Sequence, residues 1–144
     1  MKLIIDDFVS PEIKEYLEGQ TGIITVGLED QSDVTIIDVK YNDRTTSEII
    51  LKHIELFQNN NFSTLCGFDK DSNDKLKTLT YKIESICCEY CYKGLIREMF
   101  KNPNIKSVKS NFDFRNSNKS FELYIEYNAD YSEDELINFI KENK

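Results

Sequence analysis

The sequence predicts an α+β fold built as two tandem units, each running strand, helix, strand, strand, helix. Three observations carry this expectation: an internal repeat, period-two alternation of apolar residues at matching places, and helix start signals at matching places. In the first half, Gly22-Ile23-Ile24-Thr25-Val26 is followed by Ile36 to Asp43 and then by Ser47 to Ile54. The second half answers with Asn104-Ile105-Lys106-Ser107-Val108, Leu123 to Asp130, and Ser132 to Ile140. Two helices and three or four strands within about 60 residues form a thin sandwich, with both helices on one sheet face.

Each element has its own physical signal. Ser10 as N-cap and Pro11 at the first helical position open a helix through Ile13, Tyr16 and Leu17, which Gly19 or Gly22 closes. Ile37, Val39 and Tyr41 alternate with polar residues as a half-buried strand does. Phe62-Ser63-Thr64-Leu65 reads as the last strand of the first unit, and the polar, turn-rich stretch around it as a connector. The expected division is a first unit over 1–66, a linker over 67–79 and a second unit over 80–144.

In the second unit, Leu95, Ile96, Met99 and Phe100 form an apolar helix stripe that ends at Lys101-Asn102-Pro103, because proline cannot continue a helix. Phe121, Leu123, Ile125 and Tyr127 alternate with polar residues. Ser132 and Glu135 then make a capping box ahead of the stripe Leu136, Phe139, Ile140. With nothing up to Lys144 to match Phe62–Leu65, the expectation is that the second unit lacks its final edge strand or that the protein continues beyond this chain.

Composition narrows the function. The 144 residues carry a net charge of −8, which disfavours nucleic acid and anionic membrane surfaces as partners, since both need clustered cations. The charge is uneven: residues 1–57 hold 5 basic and 12 acidic side chains, and residues 80–144 hold 10 and 11. No apolar run reaches the roughly 20 residues of a membrane span. Met1-Lys2-Leu3-Ile4-Ile5-Asp6 turns acidic too soon for a signal peptide, so the expectation is a cytoplasmic protein without membrane insertion.

The chemistry concentrates at Cys87, Cys88 and Cys91, with Cys66 standing apart. Without export features, the four are expected as thiols rather than as a disulfide framework. The cluster falls where Ile83-Glu84-Ser85-Ile86 gives way to a helix. Two cysteines three apart at such a junction aim both sulfurs at one point, and a helix N-terminus favours the thiolate that ligates metal.

These residues resemble the heavy-metal-associated domain of copper chaperones, soft-metal P-type ATPases and periplasmic mercury-binding proteins. In that family a Gly-Met-Thr/His-Cys-x-x-Cys motif ends the first strand of a ferredoxin-like unit. Ile86 stands where the family has Met, Cys87 where it has Thr or His, and Cys88 and Cys91 at the two ligand positions, while Ile105 and Val108 match a later strand. Ser85 replaces the motif glycine, and Cys87 adds a third thiol. The resemblance spans residues 81–143 and implies tandem ferredoxin-like βαββα(β) sandwiches. The metal ligands would be Cys88, Cys91 and Cys87, and the cargo Cu(I), with Zn(II) or Cd(II) as further candidates. In the same register the first copy has Asp6 and Val9 opposite Cys88 and Cys91, so it carries no thiol ligands.

Other candidates are weaker. Adjacent Asp6 and Asp7 read as a solvated acidic face. His53, the only histidine, matches Phe139 of the second copy and reads as a packed or surface side chain. Asp69-Lys70-Asp71-Ser72-Asn73 begins like a calcium loop, but Asp74 replaces the turn glycine and Thr80 the bidentate glutamate. Cys66 reads as an unpaired thiol, and Tyr90 and Tyr92 as shields of the cluster.

The expected function is therefore a non-enzymatic, soft-metal chaperone or sensor whose partners are the metal ion and a protein such as a metal-transport ATPase. The rival is a non-metal interaction or regulatory domain, or the regulatory part of such an ATPase, in which the cysteines are incidental.

Overall fold

The computed structural model describes residues 1–5, 9–31, 34–58, 65–116 and 118–144. They form α+β structure with antiparallel strand pairing and four helices. The chain divides after Leu65 into two compact units, Met1–Leu65 and Cys66–Lys144.

In the first unit β1 (Lys2–Ile5), α1 (Ile13–Glu18), β2 (Ile23–Gln31), β3 (Val34–Tyr41) and α2 (Ser47–Phe57) follow in order. β3 lies between the other two strands, pairing Leu3 with Ile37 on one side and Val26 with Val39 on the other. Its alternation fixes which face is covered: Ile37 and Val39 are fully buried, whereas Tyr41, at the strand end, is 36% exposed. α1 packs on β2 and α2, and Ile13, Leu17, Ile50 and Ile54 close the core from the helix side.

α1 begins later than its sequence signal. Ser10 accepts the Ile13 N–H on its carbonyl at 3.0 Å, and its hydroxyl accepts the Glu12 N–H at 3.4 Å, so the serine makes the turn leading into the helix while Glu12 holds the N-cap position. Gly19 is the C-cap, and Gly22 takes the left-handed conformation at φ +86°. α2 is capped by Thr46, whose side chain accepts the Ile49 N–H.

The second unit comprises β4 (Leu65–Asp69, from Cys66 on), β5 (Leu76–Ile83), α3 (Glu89–Lys101), β6 (Ile105–Ser110), β7 (Phe121–Asn128) and α4 (Glu133–Asn143). From β5 onward the order is again strand, helix, strand, strand, helix, with β7 between β5 and β6. Antiparallel pairing of β7 to both makes β5 and β6 mutually parallel, joined through α3 as a split βαβ. Phe121, Leu123, Ile125 and Tyr127 are each at most 2% exposed, so the alternation has one dry face. Ser132 caps α4 by accepting the Glu135 N–H, and α3 stops at Lys101 with Asn102 as C-cap ahead of Pro103.

Two expectations about the middle of the chain are corrected. Residues 67–79, read as a linker, contain most of β4 and the start of β5. Polar residues there suggested a connector, but Cys66 and Phe68 are buried, and β4 pairs antiparallel with β6 through Phe68 and Val108. The second unit thus takes its fourth strand from upstream of β5. Of the stretch Phe62–Leu65, only Leu65 is among the described residues, and it opens β4.

Candidate metal centre

β5 ends at Ile83, whose register partner is Phe121, and α3 starts at Glu89. The five residues between them carry Cys87 and Cys88, and Cys91 follows in the first turn of α3. Ile83, just before this connection, and Ile86, in its middle, are buried, while Glu84, Ser85 and Cys87 are exposed. Cys88 is the extended N-cap residue of α3 and makes no side-chain capping bond, so its sulfur is not spent on the helix N–H groups. Its carbonyl accepts the Tyr92 N–H at 3.2 Å, which closes the first turn and places Cys91 beside it.

The sulfurs of Cys87, Cys88 and Cys91 all lie within 4.8 Å of one another, and this is the one such group of potential metal ligands among the described residues. Cys88 Sγ is 3.6 Å from Cys91 Sγ and 4.0 Å from Cys87 Sγ. With a metal–sulfur bond of about 2.3 Å, a linear pair needs sulfurs about 4.6 Å apart, a trigonal set about 4.0 Å and a tetrahedral set about 3.8 Å. The two distances that Cys88 makes lie nearer the three-sulfur values than the linear one, whereas the third pair, Cys87 and Cys91, is bonded and reaches such a spacing only once reduced.

One expectation about this cluster fails. Cys87 and Cys91 are joined in a disulfide, with Cα atoms 6.3 Å apart, inside the usual bridging range of about 4.4–6.8 Å. An extended approach followed by a helical turn brings residues four apart to this separation. The spacing was visible in the sequence, but the absence of export signals had argued for thiols. Cys88 keeps its thiol.

The remaining candidates fall elsewhere. Cys66 is a buried thiol in β4 and does not join the cluster. Tyr92, read as a shield, is instead core: it is 1% exposed and stacks on Phe112 at 4.2 Å between centroids, and its hydroxyl meets Cys66 O and Ser110 Oγ. Tyr90 is 53% exposed, with Lys93 Nζ 5.9 Å from its ring centroid. His53 sits in α2 edge-on to Tyr16, 6.2 Å between centroids, as a packed side chain. Asp69 ends β4, and in the loop after it the Ser72 hydroxyl accepts the Asp74 N–H as in an ordinary turn. Asp6 and Asp7 lie outside the described residues, while Val9, opposite Cys91 in the repeat, is buried.

Sequence reasoning missed Lys70 and Ser110. Lys70 binds the C-terminal carbonyls of α3, and Ser110 anchors Tyr92, the residue after Cys91. Neither has a local sequence signal, because each acts across strands. Among the described residues no helix is long and apolar enough to cross a membrane. No protein-family model, no curated protein and no solved structure matches the chain.

Proposed function

We propose that the reduced protein binds one soft metal ion of the Cu(I), Zn(II) or Cd(II) class through the thiolates of Cys87, Cys88 and Cys91, as a carrier or sensor rather than an enzyme. The observation that carries this reading is the convergence of three sulfurs within 4.8 Å at the β5–α3 junction. Thiolates are soft donors that select such ions over Mg²⁺ or Ca²⁺. The exposed Cys87 gives an incoming partner thiolate access, so transfer proceeds by ligand exchange, one sulfur at a time.

The βαββα order, with the third strand between the first two, supports reading both units as ferredoxin-like, the second carrying the site and the first carrying none. The 12 acidic against 5 basic side chains of residues 1–57 suit a basic face on the receiving protein, such as a metal-transport ATPase, and would steer the encounter. The test is titration of the reduced protein with Cu(I), Zn(II) and Cd(II) against a competing chelator, beside the Cys88→Ser/Cys91→Ser variant. Binding at least tenfold tighter than in the variant supports the reading, and equal binding sinks it.

A further inference from the structure

The same three sulfurs admit two arrangements, the proposed metal site and the observed disulfide, and the two exclude each other. A metal site needs all three as thiolates, whereas the structure has Cys87 and Cys91 bonded and only Cys88 as a thiol. We propose that this disulfide is a redox gate on the site: a low-molecular-weight disulfide oxidises Cys87 and Cys91 and expels the metal, and a dithiol restores binding. This inference rests on the metal-binding reading above.

The exchange balances in two displacements. One of the two thiolates, Cys91 or Cys87, attacks a sulfur of the small disulfide RSSR, forming a mixed disulfide and releasing RS⁻. The other then attacks the protein sulfur of that mixed disulfide and releases the second RS⁻. Two protein thiolates lose two electrons in total, RSSR gains them, and the metal keeps its oxidation state while losing two of three ligands. A single remaining thiolate does not hold the ion.

Geometry explains why the bond falls between Cys87 and Cys91 and stays there. Cys88 Sγ is 3.6 Å from one bonded sulfur and 4.0 Å from the other, so it lies beside the bond rather than on its extension. Displacement at sulfur runs along the bond axis, so Cys88 is misaligned for exchanging into the bridge. As the N-cap of α3 it is also tied to the helix start through Tyr92 N–H. Cys87, one residue before the N-cap and exposed, is the partner that small oxidants reach.

The experiment uses the full chain loaded with Cd(II) and titrated with glutathione disulfide, with released metal followed by a colorimetric chelator. Thiols are then alkylated and the protein cleaved after glutamate, which yields Ser85–Glu89 and Tyr90–Glu98 joined by the bridge. The expected result is one ion released per disulfide formed, alkylation on Cys88 rather than Cys87 in the first peptide, and recovery of at least 80% of binding after dithiol treatment. Metal retained by the oxidised protein, or a bridge mapped to Cys88 and Cys91, overturns the gate. Circular dichroism of both forms shows whether loss of metal reflects loss of fold, an outcome that also overturns it. Failure of the metal reading is distinguishable, because it appears in the reduced protein before any oxidant is added, and the gate then falls with it.

Discussion

The hydroxyl of Tyr92 donates to the backbone carbonyl of Cys66 at 2.8 Å, tying the first turns of α3 to strand β4 across 26 residues of sequence. Ser110 Oγ shares the same hydroxyl, so one phenol joins β4, α3 and the end of β6. Because Tyr92 follows Cys91 directly, this anchor also fixes where the cluster's helical sulfur sits.

Tyr92→Phe keeps the ring stacked on Phe112 and removes only the hydroxyl. A buried acceptor that loses its donor costs about 1–3 kcal/mol, so the variant should unfold at lower urea with an unchanged m-value. Tyr92→Ala also removes a fully buried ring and should cost about 3–5 kcal/mol. Equal stability of Tyr92→Phe and the parent would show that the hydroxyl does not anchor the helix.

Gly22 is the second pressure point, this time in the first unit. Its φ of +86° lies where L side chains are strained, and a Cβ there would stand 2.9 Å from the Thr45 backbone nitrogen. Left-handed strain of about 1–2 kcal/mol adds to that clash, so Gly22→Ala should be destabilising by at least about 2 kcal/mol. Gly94→Ala is the control: an added Cβ meets nothing within 4 Å, and removing a helix-interior glycine should stabilise by roughly 0.5–1 kcal/mol. Equilibrium denaturation of the two variants should therefore move in opposite directions.

Much of this organisation was legible in the sequence because it is local. The stripe from Leu95 to Phe100, the alternation from Phe121 to Tyr127 and the Ser132 cap each depend on residues within one element, and each appears where its pattern placed it. The cluster's position at a strand-to-helix junction was legible for the same reason. What was hidden depends on distant partners. β4 is four buried residues and one partly exposed residue, with no alternation of its own, and its place is set by pairing with β6. Lys70, lodged in what reads as a polar loop, finds its carbonyls thirty residues away. The Cys87–Cys91 bridge was missed because composition speaks to the redox surroundings of a whole chain, whereas a bridge depends on two Cα positions.

Glu18 offers a titration test. The Lys14 ammonium, 2.8 Å away and one helical turn earlier, donates a hydrogen bond that holds the Glu18 carboxyl below its usual range, and the Val26 backbone adds to this. A carboxyl lowered on folding contributes stability that is present above its unfolded value and lost as pH falls through the lowered folded value. Lys14→Met should raise the Glu18 midpoint toward the ordinary carboxylate value in a carboxyl-carbon NMR titration, and should flatten the acid limb of the stability curve. Because Glu18 is partly exposed and Lys14 is half exposed, the effect should shrink in 1 M salt. A midpoint unmoved by the substitution would assign the lowering to the Val26 backbone instead.

Lys70 should be the costliest surface-derived residue of the second unit to replace. Its ammonium donates to the Phe100 and Asn102 carbonyls at the end of α3, where the helix leaves acceptors unsatisfied and the dipole favours a cation. The same nitrogen stands 5.3 Å from the centroid of Phe68 and 4.8 Å from that of Phe100, so replacement loses cation–π attraction as well. Lys70→Met keeps most of the aliphatic stem and removes the charge, and should cost about 2–3 kcal/mol. Lys70→Arg retains charge but carries a wider head into carbonyls spaced for an ammonium, so it should recover only part of that loss. Hydrogen exchange provides the local readout: amides of the last turn of α3, Glu98 to Lys101, should lose protection in Lys70→Met while those of α4 keep theirs. Uniform loss across both helices would mean that Lys70 supports the whole unit rather than the end of one helix.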